Sequence, residues 1–373
     1  MKIILTGGGT GGHIYPALAI ADKIKDEHPD SEILFVGTEK GLEKILAPQR
    51  GYPIRFISVR GFNRKQLLKN VSVIAELMEG IKEARSIIKE FKPDIVIGTG
   101  GYVCGPVVKA AADLGIRTYI HEQNVTPGLT NRLLERRAEK VFVGFEEAKR
   151  NFKQHDKIVV SGNPVRKDFY CIDKKTARLG LDIAEESFVA LSLGGSRGAA
   201  KINAVMTEVA AALSGVANTE LFFVTGNIHY DETLNAVKEK GVVPEGNIHV
   251  LPYLEDMHRY LSACDIVISR AGAITISEIM VCGKPAILIP SPNVTGNHQY
   301  FNAKALADKG GAIIIEEKEL NSEKLIDEIL KIKGVKKYSD KMATLSRNSI
   351  TDSAVEIIYE NLGLTTAEEE KKA

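Results

Sequence analysis

The chain has 373 residues, 44% hydrophobic and 26% charged, with a formal net charge of +1 at pH 7. That length and composition fit a folded chain of two to three domains, and the expectation is a protein of a reducing cytoplasm. Apolar runs fall short of the ~20 residues of a spanning helix, glycines interrupt the run after Leu5 that a secretory leader would need, and Cys104, Cys171, Cys264 and Cys282 lack zinc-ligand spacing.

In the first half, short apolar strands are expected at 2–6, 32–36, 54–58, 94–97, 117–120, 140–143 and 157–160. Amphipathic helices fall between them, among them Pro16–Glu27, Val71–Glu90 and Gly105–Leu114. The first strand runs into Gly7, Gly8, Gly9, Thr10, Gly11, Gly12 and His13. A strand ending in glycines before a helix lets bare backbone N–H groups approach an anion at the helix's positive end. His13 reads either as a capping histidine or as a group projecting into a site. Gly7, Gly9 and Gly12 satisfy the dinucleotide fingerprint, but strand 32–36 ends in Gly37 and Thr38, with Glu39 late for a ribose acid, which argues against a nicotinamide enzyme.

Residues 1–162 carry 25 Lys and Arg against 19 Asp and Glu, leaving 24 against 29 for the rest. The stretch from Lys44 to Ala75 holds seven cations and no acid. Such a block attracts polyanions or an anionic membrane surface. Phe62, Leu67 and Leu68, interleaved with Arg64, Lys65 and Lys69, are the candidates for membrane contact. Val71, Ile74, Leu77, Met78 and Ile81, at helical spacing, fit an interfacial membrane contact but read rather as the core face of a helix. Aromatics are too sparse for a nucleic-acid stacking platform, so nucleic acid is not expected as a partner.

Gly98, Thr99, Gly100, Gly101 and Tyr102 form a further glycine turn after strand 94–97, read either as a ligand edge or as tight packing against a neighbour. His121, Glu122, Gln123 and Asn124 end the next strand at the same edge. A domain boundary is expected at Gly162, Asn163 and Pro164, giving domains 1–163 and 164–344. The second half restarts the same alternation, with strands at 188–193, 220–224, 247–251, 265–268, 285–289 and 312–315 and helices such as Ala199–Leu213, Thr275–Val281 and His298–Lys309. Gly194, Gly195, Ser196, Arg197 and Gly198 follow its first strand. Arg270, Ala271, Gly272 and Ala273 follow the strand at 265–268, and Glu278 reads as a ribose acceptor or as helix-dipole complementation. A helix at about 345–363 can pack on either domain, and 364–373 is expected to be disordered. The chain has no D-x-D pair, which favours diphosphate binding by amides and helix ends over a metal clamp; neither a metal nor a cofactor is expected.

The ordered motifs Gly8–His13, Gly98–Tyr102, His121–Asn124, Gly162–Arg166, Gly194–Ser196, Arg270–Ala273 with Ser277 and Glu278, and Gln299 with Asn302 and Ala303 span nearly the whole chain. In them the chain resembles the MurG family of bacterial N-acetylglucosaminyltransferases. The resemblance implies an α/β GT-B fold, two Rossmann-like parallel-sheet domains facing a cleft, with the C-terminal helix returning to the N-terminal domain. It implies transfer of GlcNAc from UDP-GlcNAc, with inversion, to the C4 hydroxyl of undecaprenyl-diphospho-muramoyl-pentapeptide (lipid I), at the cytoplasmic face of the bacterial membrane. Ser196, Leu254, Ala273, Ile274, Thr275, Ile276, Ser277, Glu278 and Gln299 would hold the donor, closed over by Thr10, Gly11, Gly12, Asn124 and Arg166. Gly100, Gly101 and Tyr102 would face the acceptor, and His13, then Glu122, is the candidate general base. The chain lacks tryptophan and has His298 where relatives can have Gln. The rivals are a UDP-GlcNAc 2-epimerase and a non-catalytic UDP-sugar-binding protein.

Overall fold

The computed structural model describes residues 1–61, 70–195, 198–243, 246–334, 340–341, 344 and 354–364. It divides into two compact units, Met1–Arg166 with the segment from Asp352 onward, and Lys167–Thr351.

Among the described residues, the first unit holds seven strands: β1 (Lys2–Thr6), β2 (Glu32–Gly37), β3 (Ile54–Phe56), β4 (Ile95–Gly98), β5 (Arg117–Glu122), β6 (Lys140–Val143) and β7 (Ile158–Val160). They pair in the order β3-β2-β1-β4-β5-β6-β7, every pair parallel. Helices α1 (Gly11–Glu27), α2 (Glu43–Gln49), α3 (Asn70–Phe91), α4 (Cys104–Asp113) and α5 (Leu129–Leu134) make the crossovers. A parallel sheet covered on both faces buries consecutive residues, so Ile3, Ile4 and Leu5 are all fully inside.

The second unit has β8 (Phe188–Leu193), β9 (Thr219–Val224), β10 (Ile248–Leu251), β11 (Ile266–Ser269), β12 (Ala286–Leu288) and β13 (Ala312–Ile314), ordered β10-β9-β8-β11-β12-β13 and again parallel throughout. Its helices are α6 (Lys174–Gly180), α7 (Ala200–Leu213), α8 (Tyr230–Glu239), α9 (Met257–Ala263), α10 (Ala273–Val281), α11 (His298–Ala307) and α12 (Ser322–Gly334). The C-terminal helix α13 (Ala354–Asn361) lies against α1, in the first unit. Its Ile358 and Tyr359, with Leu362 just beyond, enter the same core as Ile14, Ala17 and Ile20, and the Tyr359 hydroxyl meets His28 Nε2 at 2.8 Å.

Both sheets reverse strand order at one place, between β1 and β4 and between β8 and β11. Loops leaving adjacent strands in opposite directions open a crevice there, where doubly wound sheets bind ligands. The glycine turns follow β1, β4 and β8, and the Arg270–Ala273 segment follows β11.

Candidate active site

At the first unit's switch point the two glycine turns interlock. A Cβ on Gly7 would stand 1.8 Å from Thr99 Oγ1, and one on Gly101 (φ +83°) 2.4 Å from the Gly8 carbonyl oxygen. Thr99 is fully buried and its hydroxyl donates to the His13 carbonyl (2.7 Å), tying the β4 turn to the start of α1. The packing reading of Gly98–Tyr102 therefore accounts for Gly98 and Gly101. Gly100 (φ +101°) makes room for the His13 ring instead, since a Cβ there would lie 2.8 Å from His13 Cδ2. The Tyr102 ring packs over Gly9, and its hydroxyl is 3.4 Å from Thr38 Oγ1.

His13 sits in the first turn of α1, partly buried. Its Nδ1 lies 3.2 Å from the Gly8 carbonyl oxygen and 3.3 Å from Thr10 Oγ1. A carbonyl only accepts, so Nδ1 carries the proton and Nε2 is left with its lone pair. Burial pulls the His13 pKa below its usual 6.5, against the opposing pull of Glu122, the Gly8 hydrogen bond and Glu43. The ring is accordingly neutral at pH 7, with a free acceptor nitrogen.

Glu122 is placed differently. It is buried at the end of β5, where Oε1 accepts from Asn124 N (3.0 Å) and Asn124 Nδ2 (3.1 Å), and Oε2 from Gly128 N and Asn131 Nδ2 (2.9 Å each). Four N–H donors fill the two oxygens, leaving no lone pair for a substrate hydroxyl. This arrangement makes Glu122 the anchor of the 122–131 loop, which fixes Asn124, rather than a proton acceptor. His121 is likewise structural: its Nε2 donates to the Gly162 carbonyl (3.0 Å), its Nδ1 accepts from Gln123 Nε2 (3.0 Å), and burial drops its pKa to about 4. Asn163 fills the space beside Gly144 and donates to the Gln123 carbonyl (3.2 Å), so the Gly162–Asn163 pair locks the ends of β5 and β6.

Thr10 and Gly12 are exposed, Gly11 is partly so, and the Arg166 guanidinium lies over the Tyr15 ring at 5.3 Å. Sequence reasoning missed Glu43. Buried at the start of α2, it accepts the Gly9 N–H at 2.9 Å, so that amide is already occupied and does not serve an external anion. Its local signal was an acid set between Gly37, Gly41 and a long basic run.

In the second unit the β8 turn closes on itself. A Cβ on Gly194 would meet Ala199 N at 2.7 Å, and one on Gly198 (φ +74°) the Thr225 carbonyl oxygen at 2.2 Å. The N-cap of α7 is Ala199 and that of α10 is Gly272, neither with a side chain able to accept a bond. No cap side chain takes up the first N–H groups of either helix, and such a helix terminus favours an anion. Within α10, Thr275 and Glu278 are partly exposed, while Ala273 and Ile274 bury their side chains and offer backbone N–H. Ile276 is fully buried and its N–H is held by the Gly272 carbonyl (2.9 Å), so it presents nothing to a ligand. The Ser277 hydroxyl, also buried, donates to the Ala273 carbonyl (3.0 Å). Gln299 Oε1 accepts from Ser291 N (2.8 Å), leaving its amide nitrogen to donate. Leu254 is buried at 5% exposure. Arg270 is bound internally, donating to the carbonyls of Ile289 (3.2 Å) and Pro290 (3.4 Å) and ion-paired with Glu317.

Ser196, Phe62, Arg64, Lys65, Leu67, Leu68 and Lys69 lie outside the described residues. Three other cations of the basic run are paired with acids from elsewhere: Arg50 with Asp22 (2.9 Å), Arg55 with Glu90 (3.2 Å) and Arg60 with Glu76 (2.9 Å). On α3, Val73 is buried and Ile81 packs on the core, while Ile74 and Met78 are exposed. Among the described residues no helix is long and apolar enough to cross a membrane, and no three His, Cys, Asp or Glu side chains group to hold a metal.

Two doubly wound parallel sheets in one chain, each with glycine turns at its switch point, are the GT-B architecture that many nucleotide-sugar glycosyltransferases use. The glycosyltransferase family 28 N-terminal domain matches residues 3–143 and the family's C-terminal domain residues 189–357. A UDP-N-acetylglucosamine--N-acetylmuramyl-(pentapeptide) pyrophosphoryl-undecaprenol N-acetylglucosamine transferase of Alkaliphilus metalliredigens is 46% identical, over 96% of this chain and 98% of its own. The crystal structure of Acinetobacter baumannii MurG superposes with a TM-score of 0.74 at 27% identity, covering 96% of this chain and 99% of that one. A UDP-GlcNAc 2-epimerase from Neisseria meningitidis, 17% identical, shares the fold with a TM-score of 0.67 over 97% and 99% of the two chains. The chain belongs to glycosyltransferase family 28 and, within it, to the MurG family.

Proposed function

We propose that the protein transfers N-acetylglucosamine from UDP-GlcNAc to the C4 hydroxyl of undecaprenyl-diphospho-muramoyl-pentapeptide, with inversion, giving the β-1,4-linked disaccharide lipid. Full-length identity to the transferases supports the substrates. The observation that carries the chemistry is the bond from His13 Nδ1 to the Gly8 carbonyl, which leaves Nε2 as a neutral acceptor. In this reading His13 Nε2 takes the proton from the attacking C4 hydroxyl as its oxygen bonds to the anomeric carbon and the UDP oxygen departs with the bonding pair. Negative charge grows on the leaving diphosphate, so the N–H groups of Ala273, Ile274 and Thr275 at the positive end of α10, and those beginning α7, stabilise the transition state more than the ground state, with Ser196 as a further diphosphate contact. Glu278, one turn into α10, accepts ribose hydroxyls. The Gln299 amide, Leu254, Thr10, Gly11, Gly12, Asn124 and Arg166 complete the donor contacts, and Gly100, Gly101 and Tyr102 border the acceptor. Ile74 and Met78, exposed on α3, support a peripheral seat on the anionic cytoplasmic face of the membrane, with Phe62, Arg64, Lys65, Leu67, Leu68 and Lys69 as the further contacts.

UDP release measured with UDP-GlcNAc and a short-chain lipid I analogue tests the activity: release must depend on the acceptor, and acceptor-independent ManNAc formation would replace this reading with an epimerase. His13→Ala is expected to lower kcat about 10²- to 10⁴-fold with UDP affinity unchanged. A kcat within a few-fold of wild type would remove His13 from the role.

A further inference from the structure

Glu43 takes no part in the chemistry above, yet it is built into the turn from which His13 projects. Its Oε1 accepts from Thr38 N (2.9 Å) and Thr38 Oγ1 (3.0 Å), and its Oε2 from Gly9 N (2.9 Å). Gly8, Gly37 and Gly41 enclose it so closely that a Cβ on them would stand 2.4, 2.4 and 1.9 Å from its atoms. The site is thus shaped for this one carboxylate. The Gly9 N–H that it binds and the Gly8 carbonyl that His13 Nδ1 binds at 3.2 Å are the two ends of a single planar peptide unit. Imidazole, peptide and carboxylate therefore form one continuous line of hydrogen bonds.

The geometry points to Glu43 as a positioning residue for His13, acting through the Gly8–Gly9 peptide: it fixes that peptide's orientation and polarises it, so that the Gly8 carbonyl holds the proton on Nδ1 and leaves Nε2 to accept. The inference rests on the reading of His13 as the base. A carboxylate drawing on the N–H of a peptide strengthens its carbonyl as an acceptor. When Nε2 gains a proton, that carbonyl then stabilises the imidazolium, the service a triad carboxylate performs by direct contact. Were the peptide to turn over, Nδ1 would keep only Thr10 Oγ1, at 3.3 Å, and a hydroxyl both donates and accepts. The tautomer would no longer be dictated. The charged groups facing His13 are Glu43 from α2 and Glu122 from β5. The oxygens of Glu122 are filled by the 122–131 loop, so the peptide-mediated line to Glu43 is the one that reaches Nδ1.

The test is the imidazole ¹⁵N–¹H correlation spectrum of the full-length protein at pH 8, with His13 assigned by substitution, read together with steady-state kinetics. Wild-type His13 is expected to carry its proton on Nδ1. In Glu43→Gln the Nε2–H tautomer should appear, and kcat should fall roughly ten- to a hundredfold while the KM for UDP-GlcNAc stays within about twofold. The acidic limb of kcat/KM should also move to lower pH, because one carboxylate that raises the histidine has been neutralised. A wild-type His13 protonated on Nε2 overturns the inference with no variant needed. So does a Glu43→Gln protein that binds UDP normally and keeps both the tautomer and kcat. If that variant does not fold, Thr38→Val, which removes one of the three bonds holding the carboxylate, should move the tautomer the same way by less; an unmoved tautomer there overturns the inference too. Retained kcat in His13→Ala, by contrast, sinks the base reading itself, whatever the tautomer.

Discussion

Mild acid should weaken the first unit through His121. The ring is fully buried and neutral, with Nε2 donating to the Gly162 carbonyl and Nδ1 accepting from Gln123, and its pKa is held at about 4 against 6.5 for the free side chain. Between those two values the unfolded chain binds a proton that the folded one refuses, so stability rises with pH there and is lost as pH falls below 6.5. From pH 7 to pH 5 the linkage relation gives a loss of about 2 kcal/mol, most of it below pH 6.5. In urea, with a slope of about 3 kcal/mol/M, the midpoint of the unit's transition should fall by roughly 0.7 M over that interval. His121→Gln removes this slope, leaving a shallower one from His13, whose pKa burial also lowers. Midpoints measured by circular dichroism at pH 5, 6 and 7 in both proteins make the comparison. An equal drop in the two would refute the assignment, because the protons responsible would be bound elsewhere.

Glycine substitutions in the interlocked turns should separate into opposite signs. Gly101→Ala places a Cβ 2.4 Å from the Gly8 oxygen at φ +83° and should cost at least about 2 kcal/mol by thermal melting, whereas Gly12→Ala, whose Cβ would meet only Thr10 Oγ1 at 3.8 Å, should leave melting unchanged or slightly raised while weakening donor turnover. Ending the chain before 354 removes Ile358, Tyr359 and Leu362 from the first core, roughly 1.5–3 kcal/mol each, a sum comparable to a domain's whole stability. Limited proteolysis should then cut within 1–166 well before the second unit; equal resistance of both units would show that α13 adds little.

The alternation of strands and helices was legible because each element announces itself over adjacent residues. Ile3 to Leu5 and Ile266 to Ile268 are continuous apolar runs, as a sheet covered on both faces requires. What the sequence hid were pairings between distant positions. Glu43 looks like the last acid before a basic run, and only the fold brings it to Gly9, 34 residues away. The same run looks like an open cationic patch, yet Arg50, Arg55 and Arg60 are matched by Asp22, Glu90 and Glu76. Glu122 read as a free carboxylate at a sheet edge because its four donors come from a loop with no periodic signal of its own. Ile276, between the partly exposed Thr275 and Glu278, is inward simply because an α-helix must bury one side.

The glycine turns themselves show why motif density and ligand contact are different quantities. To deliver a helix N-terminus directly off a strand end, the chain must reverse within a few residues against the loop of the adjacent strand. That crowding alone requires glycine at positions 7, 8, 98 and 101 in the first unit and at 194 and 198 in the second, where a Cβ would strike protein atoms at 2.7 Å or less. None of these is glycine for a ligand's sake. Gly195 is glycine for its backbone, with φ +84° and open space around the missing Cβ. Gly12 alone among the glycines of these three turns has a helical position, open surroundings and an exposed surface, so the protein's own packing gives it no reason to lack a side chain. Alanine there would favour the helix. A residue that forgoes that stabilisation in the first turn of α1 fits the donor contact proposed for Gly12, and this makes Gly12 a sharper test of that proposal than the fuller glycine run before it.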